Sequence, residues 1–104
     1  MKQEGLETAI RNKVFDHRQL EEIYKGLAHG LKLYQILQYA DPGLSAYQMF
    51  LLRSALEQDF SEAAIRVLAD DGLDHLQLQL LYKKLYEGKL PQDFNVKKKG
   101  SGDN

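Results

Sequence analysis

Leu44-Ser45-Ala46-Tyr47-Gln48-Met49 is one of three versions of the same six-residue phrase. The others are Phe15-Asp16-His17-Arg18-Gln19-Leu20 and Leu73-Asp74-His75-Leu76-Gln77-Leu78. Each reads apolar, Asp or Ser, two open positions, Gln, apolar, and the glutamines recur every 29 residues. The phrase has a local physical meaning. The first N–H groups of a helix find no partner within it. An Asp or Ser at the N-cap accepts from one of them, and a Gln three residues on reaches back to the N-cap N–H. Asp16/Gln19, Ser45/Gln48 and Asp74/Gln77 are therefore read as helix-capping pairs. The apolar residues on either side (Phe15/Leu20, Leu44/Met49, Leu73/Leu78) are placed to staple each helix entry. The phrase predicts three equivalent long helices: His17 to His29, Ala46 to Gln58 and His75 to Glu87.

Working outward, shorter helical patterns precede each phrase. Leu6, Ala9 and Ile10 mark a helix over residues 5–12. A second runs from Leu31 or Lys32 to Ala40, with Leu33, Ile36, Leu37 and Ala40 turned inward. A third spans Glu62 to Ala69, capped by Ser61. Asp41-Pro42-Gly43 and Asp70-Asp71-Gly72 break the chain between short and long helices, since proline restricts the residue before it and glycine adds freedom. Gly30 and Gly88 are placed as helix stops. Along the long helices the inward stripes are Leu20, Ile23, Tyr24 and Leu27; Met49, Leu52 and Leu56, widened by Phe50, Leu51 and Ala55; and Leu78, Leu81, Tyr82 and Leu85. The middle helix is apolar where the first carries Glu21 and Glu22, so it is expected to be the most buried. The fold class is all-α: about six helices in three short-helix/long-helix repeats, arranged as a compact bundle or a short helical-repeat stack. Residues 1–94 are expected to form a single domain, with Leu90, Pro91 and Phe94 folding back on the core. Residues 95–104, with Lys97-Lys98-Lys99, read as a disordered basic tail.

Composition narrows the function classes. The chain has 104 residues, 43% hydrophobic and 28% charged, and no cysteine. Those fractions are globular and exclude a disulfide framework or a thiolate metal site. The N-terminus lacks the apolar stretch of a signal peptide and no apolar run reaches membrane-spanning length, so the expectation is a cytoplasmic protein without membrane partners. Charge is uneven. Residues 16–88 carry seven basic and eleven acidic side chains, whereas residues 89–104 carry four lysines and two aspartates. An acidic folded part argues against nucleic acid as its partner.

The segment Tyr39-Ala40-Asp41-Pro42-Gly43-Leu44-Ser45-Ala46-Tyr47-Gln48-Met49 resembles helical repeats in uncharacterised proteins of gut Firmicutes, some of them on mobile elements. Those repeats carry a YADP segment, an apolar residue, Asp or Ser, then Gln-Met, an Ile/Leu–basic step and Gly-Leu. Leu52-Arg53 and Ala55-Leu56 correspond in the middle unit; Ile23-Tyr24, Gly26-Leu27 and Gly30-Leu31 correspond in the first. The third departs, with Asp70-Asp71 for Asp-Pro and Lys84-Leu85 for Gly-Leu, and the spacing is longer than the family's. The resemblance covers residues 15–88. It implies a helical-repeat fold and a link to mobile elements, and it implies no activity, catalytic residue or cofactor.

No catalytic constellation stands out. His17 and His75 share the first helical position, where the positive helix end disfavours imidazolium, and they read as surface residues. His29, near a helix C-terminus, reads as a dipole partner. Asp70-Asp71-Gly72-Leu73-Asp74 lacks the frame of a calcium loop. The glycines are isolated, so there is no phosphate cradle. Ser45 and Ser61 are caps rather than nucleophiles. A helix-turn-helix reading of 62–87 would present Asp74, His75, Leu76 and Gln77 to the bases, a poor match to an anionic partner. Six tyrosines are numerous for this length. Tyr34, Tyr47 and Tyr86, together with Arg53, are the candidate partner-binding residues, because Tyr and Arg are enriched at binding hot spots. The reading is a non-enzymatic helical-repeat module that binds a protein or peptide, with an accessory nucleic-acid-binding protein of a mobile element as the alternative. No cofactor or metal is expected.

Overall fold

The structure is a computed structural model and describes residues 6–8 and 10–88. The expectations for residues 1–5, the return of Leu90, Pro91 and Phe94, and the tail from 95 lie outside the described residues. The described chain is all-α and contains no strand. Residues 6–8 and 10 are helical, and Leu6 and Ile10 are buried in the core. Five helices follow: α1 (His17–Ala28), α2 (Leu33–Ile36), α3 (Ala46–Glu57), α4 (Glu62–Leu68) and α5 (His75–Tyr86). The long helices α1, α3 and α5 each have 12 residues and begin at the expected positions.

Their starts are built as the capping phrase requires. Asp16 Oδ1 accepts from the Gln19 N–H at 2.8 Å, and the Asp16 N–H donates to Gln19 Oε1 at 2.8 Å. Asp74 and Gln77 repeat both bonds, at 2.8 and 2.9 Å. Ser45 Oγ accepts from the Gln48 N–H at 3.0 Å, while the Gln48 amide turns elsewhere, as described below. Ser61 Oγ caps α4 through the Ala64 N–H at 3.1 Å. The long helices also end alike. The residue after each C-cap takes a left-handed backbone: Gly30 at φ 93°, Asp59 at φ 62° and Gly88 at φ 90°. Asp59 is the exception to glycine, and Asp tolerates this region better than most residues. After the first two of these stops the chain closes back, with the Leu31 N–H on Gly26 O at 3.0 Å and the Phe60 N–H on Ala55 O at 2.9 Å, which satisfies carbonyls of the last turn.

The short helix α2 is shorter than its apolar pattern suggests, stopping at Ile36 instead of Ala40. Its N-cap is Lys32, whose ammonium has no acceptor, so only the Lys32 N–H to Gln35 Oε1 half of a capping box forms, at 2.8 Å. At its end the Gln38 and Tyr39 N–H groups bond three residues back, and Pro42 holds Asp41 away from helical angles. The frame therefore changes after Ile36. Leu33 and Leu37, expected inward, are exposed, while Tyr39 is fully buried beside Ile36 and Ala40.

Helix α3 sits at the centre. It packs on α1, α4 and α5, and α1 also holds α2. Seven of its residues are buried, against three in each of α1 and α5. Met49, Leu52 and Ala55 meet Ile23, Ile36, Tyr39, Ile65, Leu68 and Leu81 in one continuous core. Each fully buried Leu, Ile or Met there contributes about 1.5–3 kcal/mol relative to exposure. The expectation for the middle helix follows from its having neighbours on both sides. No helix of the described residues is long and apolar enough to cross a membrane.

Candidate functional site

The glutamine of the capping phrase does more than cap. The Gln19 side-chain amide donates to Pro42 O at 3.0 Å and Leu44 O at 2.7 Å. The Gln48 amide donates to Leu68 O and Asp70 O, both at 2.8 Å. Both residues are buried. Each thus ties the start of one long helix to the turn that follows the next short helix. The acceptor pair of Gln48 sits three positions earlier, relative to the capping phrase, than that of Gln19. Gln77 is exposed, and its amide meets no acceptor among the described residues. The turns themselves are self-supporting: Asp41 Oδ1 accepts from the Gly43 N–H and Asp70 Oδ1 from the Gly72 N–H, each at 2.9 Å. Asp70 is thereby committed to its own loop, and the described residues hold no group of three or more His, Asp or Glu arranged to bind a metal ion.

A polar cluster lies where α1 crosses α3. Arg53 is only 6% exposed. Its Nε donates to Glu22 Oε1 at 2.8 Å and its Nη1 to Glu57 Oε2 at 2.8 Å. His29 Nδ1 lies 2.8 Å from the same Glu57 oxygen and 3.2 Å from Arg53 Nη1. The Glu57 carboxylate can only accept, so its contact with His29 is a hydrogen bond when His29 carries its proton on Nδ1; Arg53 Nη1, also a donor, is then a close neighbour of that nitrogen and bonds to Glu57 instead. The guanidinium carbon also lies 5.5 Å from the Phe50 ring centroid. Burial opposes ionisation of Arg53 and Glu57, but their mutual bonds outweigh it. The Arg53 guanidinium is held above its ordinary range by Glu22 and Glu57, and the Glu57 carboxyl below its own by Arg53 and His29. Beneath them the Tyr39 hydroxyl donates to Glu22 O at 2.7 Å. Burial drives its phenol upward, Arg53 opposes this, and Glu22 and Glu57 add to it. Every charge here is answered by another protein group, which makes the cluster a clamp between α1 and α3.

Arg53, one of the four candidate partner-binding residues, is thus occupied inside the fold. The other three are accessible to different degrees. Tyr34 and Tyr86 are exposed; Tyr47 is half-buried. They are not joined to one another by ring contacts. Tyr86 tilts against Tyr82 at 6.3 Å, and Tyr82 stacks on Phe60 and shares a 2.8 Å hydrogen bond with Ser54 Oγ. Tyr47 instead stacks on His75 of α5 at 4.0 Å and lies 6.4 Å from Phe50, which is 42% exposed. The apolar pattern of α3 predicts Phe50 inward; in the structure it is exposed, with the Arg53 guanidinium behind it. Tyr47, Phe50 and His75 therefore form an aromatic surface bridging α3 and α5. The role of His75 could have been found in the sequence, since the 29-residue spacing sets it one helix along from Ala46, next to Tyr47. His17, in the same position on α1, is exposed. Comparison with known protein families, with curated proteins and with solved structures found no match.

Proposed function

We propose that the protein is a non-enzymatic helical-repeat module, acting in the cytoplasm, that binds a protein or peptide segment through the long-helix surface carrying Tyr47, Phe50 and His75. The observation that supports this is a large aromatic, Phe50, left exposed at the centre of the most buried helix, backed by a fixed guanidinium. Aromatic groups held rigidly at low entropic cost are the usual anchors of an interface. The charged cluster beneath supplies rigidity rather than chemistry, because its donors and acceptors are spent on one another. An amphipathic helix with an apolar anchor is the natural ligand for a surface between adjacent helices. The test is affinity capture from the source organism with the wild-type chain and with Phe50→Ser. A partner held by the wild type and released by the variant, at unchanged helicity, supports the reading; capture that ignores Phe50 ends it. The mobile-element resemblance, with its alternative of nucleic-acid binding, is checked in the same preparation by gel shift at low salt, where no complex is expected.

A further inference from the structure

The outward side of α5 carries an apolar pair with acidic residues at one end and basic residues at the other. Leu76 is 60% exposed and Leu80 is 53% exposed, four positions apart and therefore on one face of the helix. Leu78, Leu81 and Leu85, on the opposite face, are buried. The register of the long helices shows what this side does elsewhere in the fold. The position of Leu80 is Glu22 on α1, whose carboxylate receives Arg53 of α3, and Leu51 on α3, which is 5% exposed. On the two earlier long helices the position meets a neighbouring element; on the last it is left half open.

The charges around this pair are segregated along the helix axis. Asp70, Asp71 and Asp74 lie at its N-terminal end, all exposed. Lys83 and Lys84, also exposed, lie at its C-terminal end, where Glu87 offsets one of the two. Asp74 and Lys84 are about 15 Å apart along the axis, at 1.5 Å per residue. A second α5 laid alongside in the same direction would set aspartates against aspartates and lysines against lysines. Laid in the opposite direction, it sets each acidic end against a basic one and pairs Leu76 of one copy with Leu80 of the other. That arrangement is twofold and self-complementary, so it closes at two chains. Opposed directions also place the positive end of one helix dipole beside the negative end of the other.

We infer that the outward side of α5 is a pairing surface for a second copy of this chain, joined antiparallel through Leu76 and Leu80, with Lys83 and Lys84 of each copy beside Asp70 and Asp71 of the other. The apolar pair supplies the attraction. The charges fix the direction, since complementary charges select between arrangements more than they add affinity. One helix face is a small interface by the standard of stable dimers, so the pair forms and dissociates with concentration. Tyr47, Phe50 and His75 take no part in it, and the inference stands apart from partner binding there.

Sedimentation equilibrium of the full chain, from micromolar to millimolar concentration, tests this. The mass should rise from one chain towards two and no further, and the dimer should weaken with added salt. The double variant Leu76→Ser, Leu80→Ser should stay a single chain throughout at unchanged helicity, since both side chains are exposed. The direction of pairing is read by charge reversal. Asp71→Lys, and separately Lys83→Glu with Lys84→Glu, should each self-associate about ten-fold more weakly. Their equimolar mixture should recover most of the lost association, because each copy then offers the charge that the other lacks. A single-chain mass at every concentration overturns the inference, and a thermal midpoint lowered by the serine pair would then assign the cover to the chain itself. Dimers that the serine pair leaves intact, or a mixture no stronger than its parts, overturn it equally.

Discussion

Gly26 lies inside α1, where replacing glycine by alanine ordinarily gains about 1 kcal/mol of helix stability. Here the sign should reverse. A Cβ at Gly26 would fall on Tyr39 Oη, with Leu31 Cδ1 and Tyr39 Cζ each 3.3 Å away. Tyr39 is fully buried and its hydroxyl is held by Glu22 O at 2.7 Å, so it has no room to yield. Overpacking costs about 1–3 kcal/mol and a lost hydrogen bond about 1 kcal/mol. Against the propensity gain, Gly26→Ala should destabilise by about 1–3 kcal/mol. Urea unfolding, with the slope checked for two-state behaviour, measures this directly. The decisive comparison is the same change made in Tyr39→Phe, where the oxygen is gone and the remaining contacts need shift only slightly. There Gly26→Ala should be neutral or stabilising. A stabilising Gly26→Ala in the wild type, or an equal cost in both backgrounds, would refute the close approach of α1 and the Tyr39 segment.

Two further outcomes follow from the buried polar groups. Because the folded Glu57 carboxyl sits below its ordinary value, its contribution is complete above about pH 4.3 and is lost as pH falls through the lower folded value; acid titration of stability should show that loss, and Arg53→Met should remove it while costing about 2–3 kcal/mol at neutral pH. Gln48→Glu keeps the shape but removes the donor from Leu68 O and Asp70 O, so thermal unfolding should report a loss of about 2–4 kcal/mol.

The helices were legible because their ends are local. Asp16, Ser45 and Asp74 bond to residues three positions away, and a cap of that kind is visible without knowing what the helix packs on. The interiors were less so, since facing depends on partners distant in sequence. Tyr39 entered the core because Glu22 O and the bare flank of Gly26 receive it, contacts 17 and 13 residues away that no periodicity in residues 31–40 encodes. Leu33 and Leu37 are exposed for the complementary reason: their stripe assumes a helix that Pro42 and a half-formed cap at Lys32 do not sustain. Arg53 looked like a surface hot spot from composition. The signal for its burial was present, as Glu57 lies one turn along α3, but its decisive partner, Glu22, is 31 residues away. For the site as a whole, residue types were readable, while their division into clamp and exposed surface required the packing of α1 on α3.

The choice of glutamine explains why the capping phrase can organise a whole chain. Glutamate serves the back-bond of a capping box equally well, since only an acceptor is needed for the N-cap N–H. A second task, donation across to a neighbouring turn, requires the amide. Gln19 performs both at once: its oxygen accepts from Asp16 and its nitrogen donates to Pro42 and Leu44. Gln48 gives its nitrogen to the next turn and leaves Ser45 Oγ to cap the helix on its own. The same side chain thus fixes where a long helix starts and how the following unit seats on it. That coupling makes local and tertiary preferences agree, the condition for a single well-defined fold.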